Sequence, residues 1–372
     1  MPIKLNTPWR AMIAVNIAMV VALFVYKLAL SYPDLPYTQL LSDYHFGFAK
    51  RSLVGALVGL AFPVLPSSAT YVVGAIPWLI TTALFLRLFR TTFGTSEATL
   101  PLLVFTAGSP FFLKNFVQTL GYYDIYGVLL AIVLLLVPAR SVLYVLAAAA
   151  GSVALLLIHQ LHLLLTIPTI GAIVILRHHL PRGFRTADLA LAVVLTLAVA
   201  AVFVLVQFHG APQVAPEVFE AHLRARMADP SETGIMPGIF YRSSADELRD
   251  TWQFMARNLR RVPIYLVLIA LHAPLIRTFR DHVRGLAEPM HRRVVATLTA
   301  LVSVGYLVIF LTVFDYSRWV SSFGSCMILL LHAVRQLPAA REAAPIDGTN
   351  RWVRACGWAV TLIPRVGTVT PF

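Results

Sequence analysis

The ten residues Ser42–Arg51 read SDYHFGFAKR and interrupt a chain that is otherwise strongly apolar. One acid, one imidazole, three aromatic rings and two adjacent cations lie together in this stretch. A connection between membrane spans needs only turn residues, whereas this one carries acid–base groups, phosphate-binding groups and ring platforms. The alternative is an interfacial belt, with the rings at the lipid headgroups and the Lys50-Arg51 pair on lipid phosphate.

The composition around this stretch is that of a polytopic membrane protein. Hydrophobic residues make up 58% of the chain and charged residues 13%, and the mean hydropathy is +0.76. A soluble domain carries about 25% charged residues. The net charge of +13 comes from basic residues clustered between apolar runs, which is a topology signal rather than a nucleic-acid signal. No array of basic and aromatic residues suits single strands, so nucleic acid is excluded as a partner.

We expect an all-α fold: a polytopic transmembrane helical bundle of about ten spans with outer-face interfacial helices, forming a single integral membrane domain over 1–372. A span needs about 20 mainly apolar residues. The start of the chain, with Lys4 and Arg10, reads as an uncleaved anchor with its N-terminus in the cytoplasm. The spans are expected at 11–30, 71–88, 100–116, up to 137, up to 157, up to 177, 187–207, 263–276, 294–313 and 320–334.

The basic clusters orient this map. Arg177–Arg185, Arg277–Arg293, Arg335 and Arg341 fall on one side, which the positive-inside rule assigns to the cytoplasm. The stretch Ser42–Arg51 then faces outward.

The region 31–70 is expected to be an outer loop with an interfacial helix. Its part 52–66 is short and broken by glycine and proline, and Gly55 and Gly59 would form a close-packing face. If 52–66 were a full span, every later loop would change sides, and the basic clusters argue against that. The short apolar run that ends at Ile363 is expected to be interfacial and inside.

A long polar segment, 208–262, is expected outside. Ser244–Glu247 has the pattern of a capping box, and Leu248, Trp252 and Leu259 follow at helical spacing. We therefore predict an amphipathic helix on the outer membrane surface. It either gates a lipid-side entrance or simply packs on the bundle.

Four polar clusters share the outer face in this map. An ionisable group at membrane depth costs about 2.5–3.5 kcal/mol on insertion scales, so such groups usually mark function. For each cluster alone, the alternative is a residue at a span end that reaches for water. Four clusters on one face favour a shared site. The clusters are Asp43/His45/Lys50/Arg51, Tyr123/Asp124, His159/His162 and, within Phe314–Trp319, Asp315/Arg318/Trp319.

The acids and histidines have chemical alternatives. Asp43 and Asp124 could each accept a proton from an attacking hydroxyl or hold a divalent ion. Asp124 could also be an acid at a helix N-terminus that interacts favourably with the helix dipole. His159 and His162 are three residues apart, hence on one helix face, and suit a sugar or phosphate better than a metal that lacks a third ligand in sequence.

Arg318 and Trp319 suit a ligand that joins phosphate to sugar. A guanidinium binds phosphate bidentately, and the indole offers a stacking face. The alternative is an ion pair between Asp315 and Arg318, which are one helix turn apart. Cys326 and Cys356 form no CxxC pair and no metal spacing.

These features together resemble the GT-C superfamily of polyprenyl-phosphate-sugar-dependent glycosyltransferases. The shared features are an acid in the first outer loop, an outer-face helix after it, a second acid at the outer end of the third or fourth span, and a long late outer segment. The stretch Asp43–Gly55 also resembles bacterial membrane proteins of surface-polysaccharide type. The first loop lacks the Asp-Asp or Glu-Asp pair of the superfamily, and the chain lacks a large C-terminal soluble domain.

The resemblance implies a glycosyltransferase on the outer face of the bacterial inner membrane, in cell-surface polysaccharide or glycolipid synthesis. It implies Asp43 as general base and Asp124 as its partner or as a ligand of Mg²⁺ or Mn²⁺. Its partners would be a polyprenyl-phosphate-linked sugar, membrane lipid and a polysaccharide assembly. A non-enzymatic flippase or transporter of a lipid-linked saccharide, or a structural subunit, remains open. The expected substrate-binding residues are Tyr44, His45, Lys50, Arg51, Tyr123, His159, His162, Arg318 and Trp319.

Overall fold

The computed structural model describes residues 7–313, 315–338 and 345–366. Lys4, Phe314 and Arg341, which the sequence analysis used, lie outside the described residues. Within those ranges the fold is all-helical, and the one strand-like contact is a parallel bridge between Leu65 and Met227. The α-helices are α1 Thr7–Leu30, α2 Asp34–Leu41, α3 Leu53–Ala61, α4 Ala69–Phe93, α5 Leu100–Thr106, α6 Leu113–Gln118, α7 Asp124–Leu136, α8 Val142–Ile158, α9 His162–Leu165, α10 Ile167–Val174, α11 Thr186–His209, α12 Pro216–Ala225, α13 Ser244–Leu259, α14 Val262–Leu271, α15 Ala273–Arg284, α16 Pro289–Thr312, α17 Tyr316–Arg335 and α18 Arg351–Leu362.

Four helices in the described part of the chain are long and apolar enough to cross a membrane. They are α1 (from Pro8 to Ala29), α4, α11 and α16. The pair α14–α15, bent by 60°, makes a fifth if it counts as one span. These helices fit a multi-pass membrane protein, as the composition predicts.

Two predicted spans are broken rather than continuous. The span expected at 100–116 divides into α5 and α6 around Gly108-Ser109-Pro110, because proline disfavours helical backbone before it and lacks an N–H donor. The span expected at 263–276 divides at His272, two residues before Pro274. The buried imidazole of His272 bridges both breaks, since its Nδ1 lies 2.7 Å from the Leu268 oxygen and its Nε2 lies 2.9 Å from the Ser109 hydroxyl.

Side-chain contacts define two ends of the bundle. At the loop end, which carries Ser42–Arg51, the Thr251 hydroxyl of α13 donates to the Thr312 oxygen at the end of α16, at 2.9 Å. At the basic end, which carries Arg177–Arg185, Arg10 pairs with Glu97, and Gln336 donates to the Leu135 oxygen at 3.3 Å.

Two glycines of helix α3 allow it to pack closely against its neighbours at the loop end. A Cβ on Gly55 would lie 2.1 Å from the Ser42 oxygen and 2.6 Å from the Leu40 oxygen, so only glycine allows this approach of α3 to α2. A Cβ on Gly59 would lie 2.3 Å from an Arg226 guanidinium nitrogen. The predicted close-packing face of Gly55 and Gly59 is therefore confirmed, with a backbone and an arginine as its partners.

The apolar tail forms helix α18, which packs beside the first half of α1. Gly357 meets Trp9, and the Asn16 amide donates to the Thr361 hydroxyl at 3.1 Å. Because later residues of α18 meet later residues of α1, the two helices run parallel. One side of α18 is buried on the bundle, while Trp352 and Leu362 are exposed, and its interfacial position stays a prediction.

The amphipathic helix of the long segment forms as α13, but its cap begins one residue earlier than expected. Ser243 and Asp246 make the reciprocal bonds of a capping box: the Asp246 N–H donates to the Ser243 hydroxyl at 3.2 Å, and the Ser243 N–H donates to the Asp246 carboxylate at 3.0 Å. The side chain of Glu247, expected in the box, instead contacts Arg51. Leu248, Trp252 and Leu259 are exposed on the bundle surface.

Candidate functional site

The Ser42–Ser52 segment forms a compact loop whose two ends meet. The hydroxyls of Ser42 and Ser52 lie 2.5 Å apart at its neck. Gly47 and Arg51 have positive φ, +88° and +66°. A left-handed backbone is unusual for an arginine and costs of order 1 kcal/mol or more. Such strain clusters at functional sites, so Arg51 marks the neck of this loop as a candidate site.

Asp43, on one side of the neck, is bound by His222 of α12 and by Arg226, the residue that follows α12. Its Oδ2 accepts from Arg226 at 2.9 Å, and its Oδ1 lies 3.1 Å from His222 Nε2. The same Oδ1 accepts from the His45 N–H at 3.0 Å, and the rings of His45 and His222 stack with centroids 4.9 Å apart. We call Asp43, His45, His222 and Arg226 the acid–histidine set. Tyr44 stacks on Phe48 beside it.

Arg226 is the structural centre of that set. Beyond Asp43 it donates to the Leu41 oxygen at 2.6 Å and to the Gly55 oxygen at 3.3 Å. Sequence reasoning missed both His222 and Arg226. They lie four residues apart at the C-terminal end of α12, which is visible in the sequence. Their partner Asp43, however, is nearly half the chain away, and no local pattern predicts it.

Lys50 and Arg51 are buried on the other side of the neck. The Lys50 ammonium donates to the Arg242 oxygen at 2.6 Å and makes no ion pair within the described chain. Arg51 donates to the Gln160 oxygen and to the Glu247 carboxylate, both at 3.3 Å. Burial, together with the smaller effect of the neighbouring Arg51 charge, lowers the pKa of Lys50 from 10.5 to about 8.

The Gln160 amide completes an arrangement of hydrogen-bond donors. Gln160 is 1% exposed, and its Nε2 has no partner in the described structure. Lys50, Arg51 and Gln160, with the neighbouring His159, are called the cation set. The charges of Arg51 and Lys50 act on the buried His159 ring, so these groups share one environment. Unsatisfied buried donors beside two cations are what an anion would satisfy.

Arg318 is bound to two carboxylates. It holds Asp124 bidentately, at 2.8–3.0 Å, and reaches Asp315 at 3.4 Å. Its guanidinium lies 4.6 Å from the ring centre of Tyr122 and 4.9 Å from that of Trp319. The alternative reading of an Asp315–Arg318 pair is therefore confirmed. With Asp124 added, the charge of Arg318 is already balanced without a phosphate.

His159 and His162 do not share a helix face, because the chain leaves α8 at Ile158 and starts α9 at His162. The His162 ring lies 3.2 Å from the Tyr123 oxygen and 2.9 Å from the Thr166 hydroxyl. Both nitrogens of His162 thus have structural partners. The Tyr123 hydroxyl is buried without a partner among the described residues.

The four predicted clusters therefore meet, but in distinct sets. Arg51, Asp124 and Arg318 act electrostatically on one another, and the fields of Arg51 and Arg318 reach His159. Asp43 instead belongs to the acid–histidine set, which joins the cation set at the neck of the loop.

A divalent cation held by Asp43 and Asp124 does not fit these residues. Both oxygens of Asp124 accept from Arg318, and the two oxygens of Asp43 are bound by Arg226 and His222. Mg²⁺ or Mn²⁺ would have to displace an arginine at each position, and hard cations need free carboxylate oxygens. We therefore route no chemistry through such an ion.

No protein-family model, curated protein or solved structure matches this chain. Its function must accordingly be argued from the site itself.

Proposed function

We propose that this protein is a membrane glycosyltransferase that moves a sugar from a polyprenyl-phosphate carrier on the outer face of the bacterial inner membrane. The observation that carries the proposal is Lys50, a buried ammonium with one backbone acceptor and no acid partner in the described chain. Its charge interacts with that of Arg51 and with the buried His159 ring. Arg51 in turn donates to the side-chain oxygen of Gln160, whose amide nitrogen has no partner among the described residues. A lipid phosphate supplies the negative charge and the acceptor oxygens that this set lacks.

The proposed topology has ten spans, with the basic end in the cytoplasm. It is supported by the way the chain alternates between the loop end and the basic end. The ten passes would be α1, α4, α5–α6, α7, α8, 162–182, α11, α14–α15, α16 and α17. Helices α3 and α13 would then lie on the outer face, and the exposed Trp252 side of α13 would rest on lipid.

The cation set would act on the leaving group. In glycosyl transfer the bond between the anomeric carbon and the phosphate oxygen breaks, and its electron pair leaves with the polyprenyl phosphate. Lys50 and Arg51 would stabilise that developing charge, and Arg51 is already held in place by Gln160 and Glu247.

His222 is the better candidate for the base than Asp43 itself. The Asp43 oxygens already accept from Arg226, His222 and the His45 N–H, which leaves them poorly placed to take a proton. A carboxylate that accepts from Nε2 fixes the imidazole with its lone pair on Nδ1. The acceptor hydroxyl would attack the anomeric carbon while its proton passes to His222 Nδ1. Asp43 would position that ring.

The second candidate is a non-enzymatic flippase of a lipid-linked saccharide. It is favoured by one observation: Asp43 and Asp124 are both bound to arginines, so neither offers a free carboxylate. In this function the cation set would hold the carrier phosphate during translocation, and no proton transfer would occur.

A transfer assay on the purified, reconstituted protein separates these functions. With a polyprenyl-phosphate-linked sugar and an acceptor glycan, His222→Ala should lower turnover by about 10²–10⁴, the range for a general acid–base group. Asp43→Asn should also lower turnover. The matched control is Glu220→Gln, also on α12, whose carboxylate pairs only with Arg224 among the described residues.

The outcomes differ between the two candidates. Full transfer by a well-folded His222→Ala protein would rule out the assigned base. Movement of the labelled lipid across vesicles, without transfer and unaffected by His222→Ala, would establish the flippase instead.

A further inference from the structure

A second cluster of ionisable side chains lies at the basic end, away from the loop. The chain leaves α10 through one π-helical turn, Ile175–His179, and a 3₁₀ turn that ends at Arg182. It then reverses at Gly183 and Phe184, both at positive φ, and enters α11. Single π turns are rare and often occur at functional sites. This reversal brings Asp188 back to His178 and His179, with one ligand atom from each within 4.8 Å of the others.

His179 is the unexplained member of this cluster. Its side chain is 1% exposed, and neither ring nitrogen has a partner among the described residues. Burying a polar group without a hydrogen bond costs of order 1–3 kcal/mol on protein scales. Such a group needs an explanation, and a bound ion is one of the standard ones.

The His178 ring is already held in the orientation that a metal ligand needs. Its Nδ1 lies 2.8 Å from the Ala139 oxygen, to which it can only donate, so Nε2 carries the lone pair. Metal-binding imidazoles are usually fixed in this way, with one nitrogen donating to a carbonyl and the other facing the metal. The ring is also stacked beside Tyr144.

We propose that His178, His179 and Asp188 form a site for a divalent transition-metal ion of the Zn²⁺ class. Two imidazoles and one carboxylate suit Zn²⁺, whose ligands lie at about 2.0–2.2 Å, whereas Mg²⁺ and Ca²⁺ prefer all-oxygen sites. The separation of up to 4.8 Å closes around an ion through small rotations of the side chains. A fourth position would be left for water. The ion would join the π turn to the first turn of α11.

Arg182 stands where the ion would bind. Its NH1 donates to His178 Nε2 at 2.9 Å, while its NH2 donates to the Arg140 oxygen. Arg177 lies nearby but donates to the carbonyls of Leu134 and Val137, outside the ligand triad. Arg182 therefore supplies a positive charge to this cluster and competes with a metal for the same lone pair.

The competition makes the proposal testable with Zn²⁺ alone. The full chain, carried on a tag without histidine, is titrated with ZnCl₂ in detergent against a chromophoric chelator. We expect one equivalent to bind. His179→Ala and Asp188→Asn should weaken binding by at least about 10–100-fold, the range already seen for lost outer-shell partners. Arg182→Gln should tighten it, because the competing guanidinium is gone.

His332→Ala is the matched control. His332 is equally buried and also has two unpartnered nitrogens among the described residues, but no acid or histidine ligand joins it in a triad. Its loss should leave zinc binding unchanged. Co²⁺ substitution gives an independent readout through the visible absorption of a nitrogen- and oxygen-bound ion, which the two ligand variants should lose.

Several results would overturn the site. One is a wild-type protein that takes up no equivalent of Zn²⁺. Another is wild-type affinity in both ligand variants. Weaker binding by Arg182→Gln would contradict the assigned position of the ion. If His179→Ala fails to fold, the near-isosteric Asp188→Asn still decides the question.

Discussion

Lys50 and Lys114 are both buried, yet their surroundings differ in a way that separates function from structure. The Lys114 ammonium donates to the oxygens of Val360, Thr361 and Ile363, at 3.0, 2.6 and 3.3 Å. These are carbonyls at the C-terminus of α18, which otherwise lack partners and carry partial negative charge. The Lys50 ammonium donates to one carbonyl.

Each ammonium has three donors. Lys114 uses all three inside the protein, so its charge is fully explained by the end of one short helix. Lys50 uses one of its donors within the described structure, and its charge interacts with that of Arg51. A buried cation whose bonds are complete holds the fold together. A buried cation whose bonds are incomplete indicates a ligand, and this is why the proposed function rests on Lys50.

The largest effect is expected from Lys114→Met. The substitution leaves the α18 carbonyl oxygens without their donor. Each buried carbonyl that finds no other donor lowers the free energy of unfolding by about 1–3 kcal/mol. Helix α18 should then detach from α1. Heating in detergent should show a strongly lowered midpoint, and the buried Cys356 should react with a thiol reagent in a Cys326→Ala background. Lys27→Met, also a lysine in the membrane region of the bundle, is the control. A Lys114→Met protein with a normal midpoint and a protected Cys356 would contradict this role.

Gly55→Ala comes next and tests whether the loop that carries Lys50 is rigidly seated. The new methyl group would lie 2.1 Å from a backbone oxygen, which cannot move aside like the end of a side chain. Overpacking of this kind costs about 1–3 kcal/mol, occasionally more. Gly171→Ala is the matched control, because nothing lies within 4 Å of its Cβ position. Equal thermal midpoints for the two variants would show that α3 adapts, and that the loop is not fixed by it.

Lys50→Met should affect a ligand more than the fold. Removing a buried charge with one carbonyl partner changes the free energy of unfolding little, since apolar replacement of buried charges is often neutral or stabilising. Binding of a polyprenyl phosphate in lipid nanodiscs should weaken by about 10–100-fold, corresponding to the 1.5–3 kcal/mol of a charged hydrogen bond. A Lys50→Met protein with a strongly lowered thermal midpoint, but with wild-type affinity while still folded, would place Lys50 beside Lys114 as a structural residue.

Local features of this architecture could be predicted from the sequence, and distant pairings could not. The Asp315–Arg318 pair follows from helical spacing alone, because its geometry is set within one turn. The spacing of Gly55 and Gly59 predicts a close-packing face, but not the residues that pack on it. The partners of Asp43 lie 179 and 183 positions away, and nothing near Asp43 predicts them.

Averaged hydropathy also hides breaks in helices. The run 100–116 reads as one span because Gly108 and Pro110 are outweighed by their apolar neighbours. Lys114 lies near the predicted end of that span, where a cation would reach water, yet it is fully buried against the end of α18. A cation in an apolar run indicates either an end or an internal partner, and only the fold distinguishes the two.

The smallest expected effect is a pH dependence that belongs to Lys50 alone. Its pKa is lowered to about 8 in the folded, ligand-free protein and is about 10.5 when unfolded. Between these values the unfolded state binds more protons, so the free energy of unfolding should rise as pH increases from about 8 to 10.5. Phosphate binding should change in the opposite direction, falling above pH 8, because it requires the ammonium form.

The Lys50 contribution to both slopes should vanish in Lys50→Met. Subtracting the curve of this variant from the wild-type curve removes the titration of the other lysines. Thermal midpoints and nanodisc affinities measured from pH 7 to 10 give the two curves. If stability and affinity fell together with rising pH, the ammonium would be serving the fold rather than a ligand. Opposite slopes that disappear with the side chain are what a buried ammonium that binds phosphate requires.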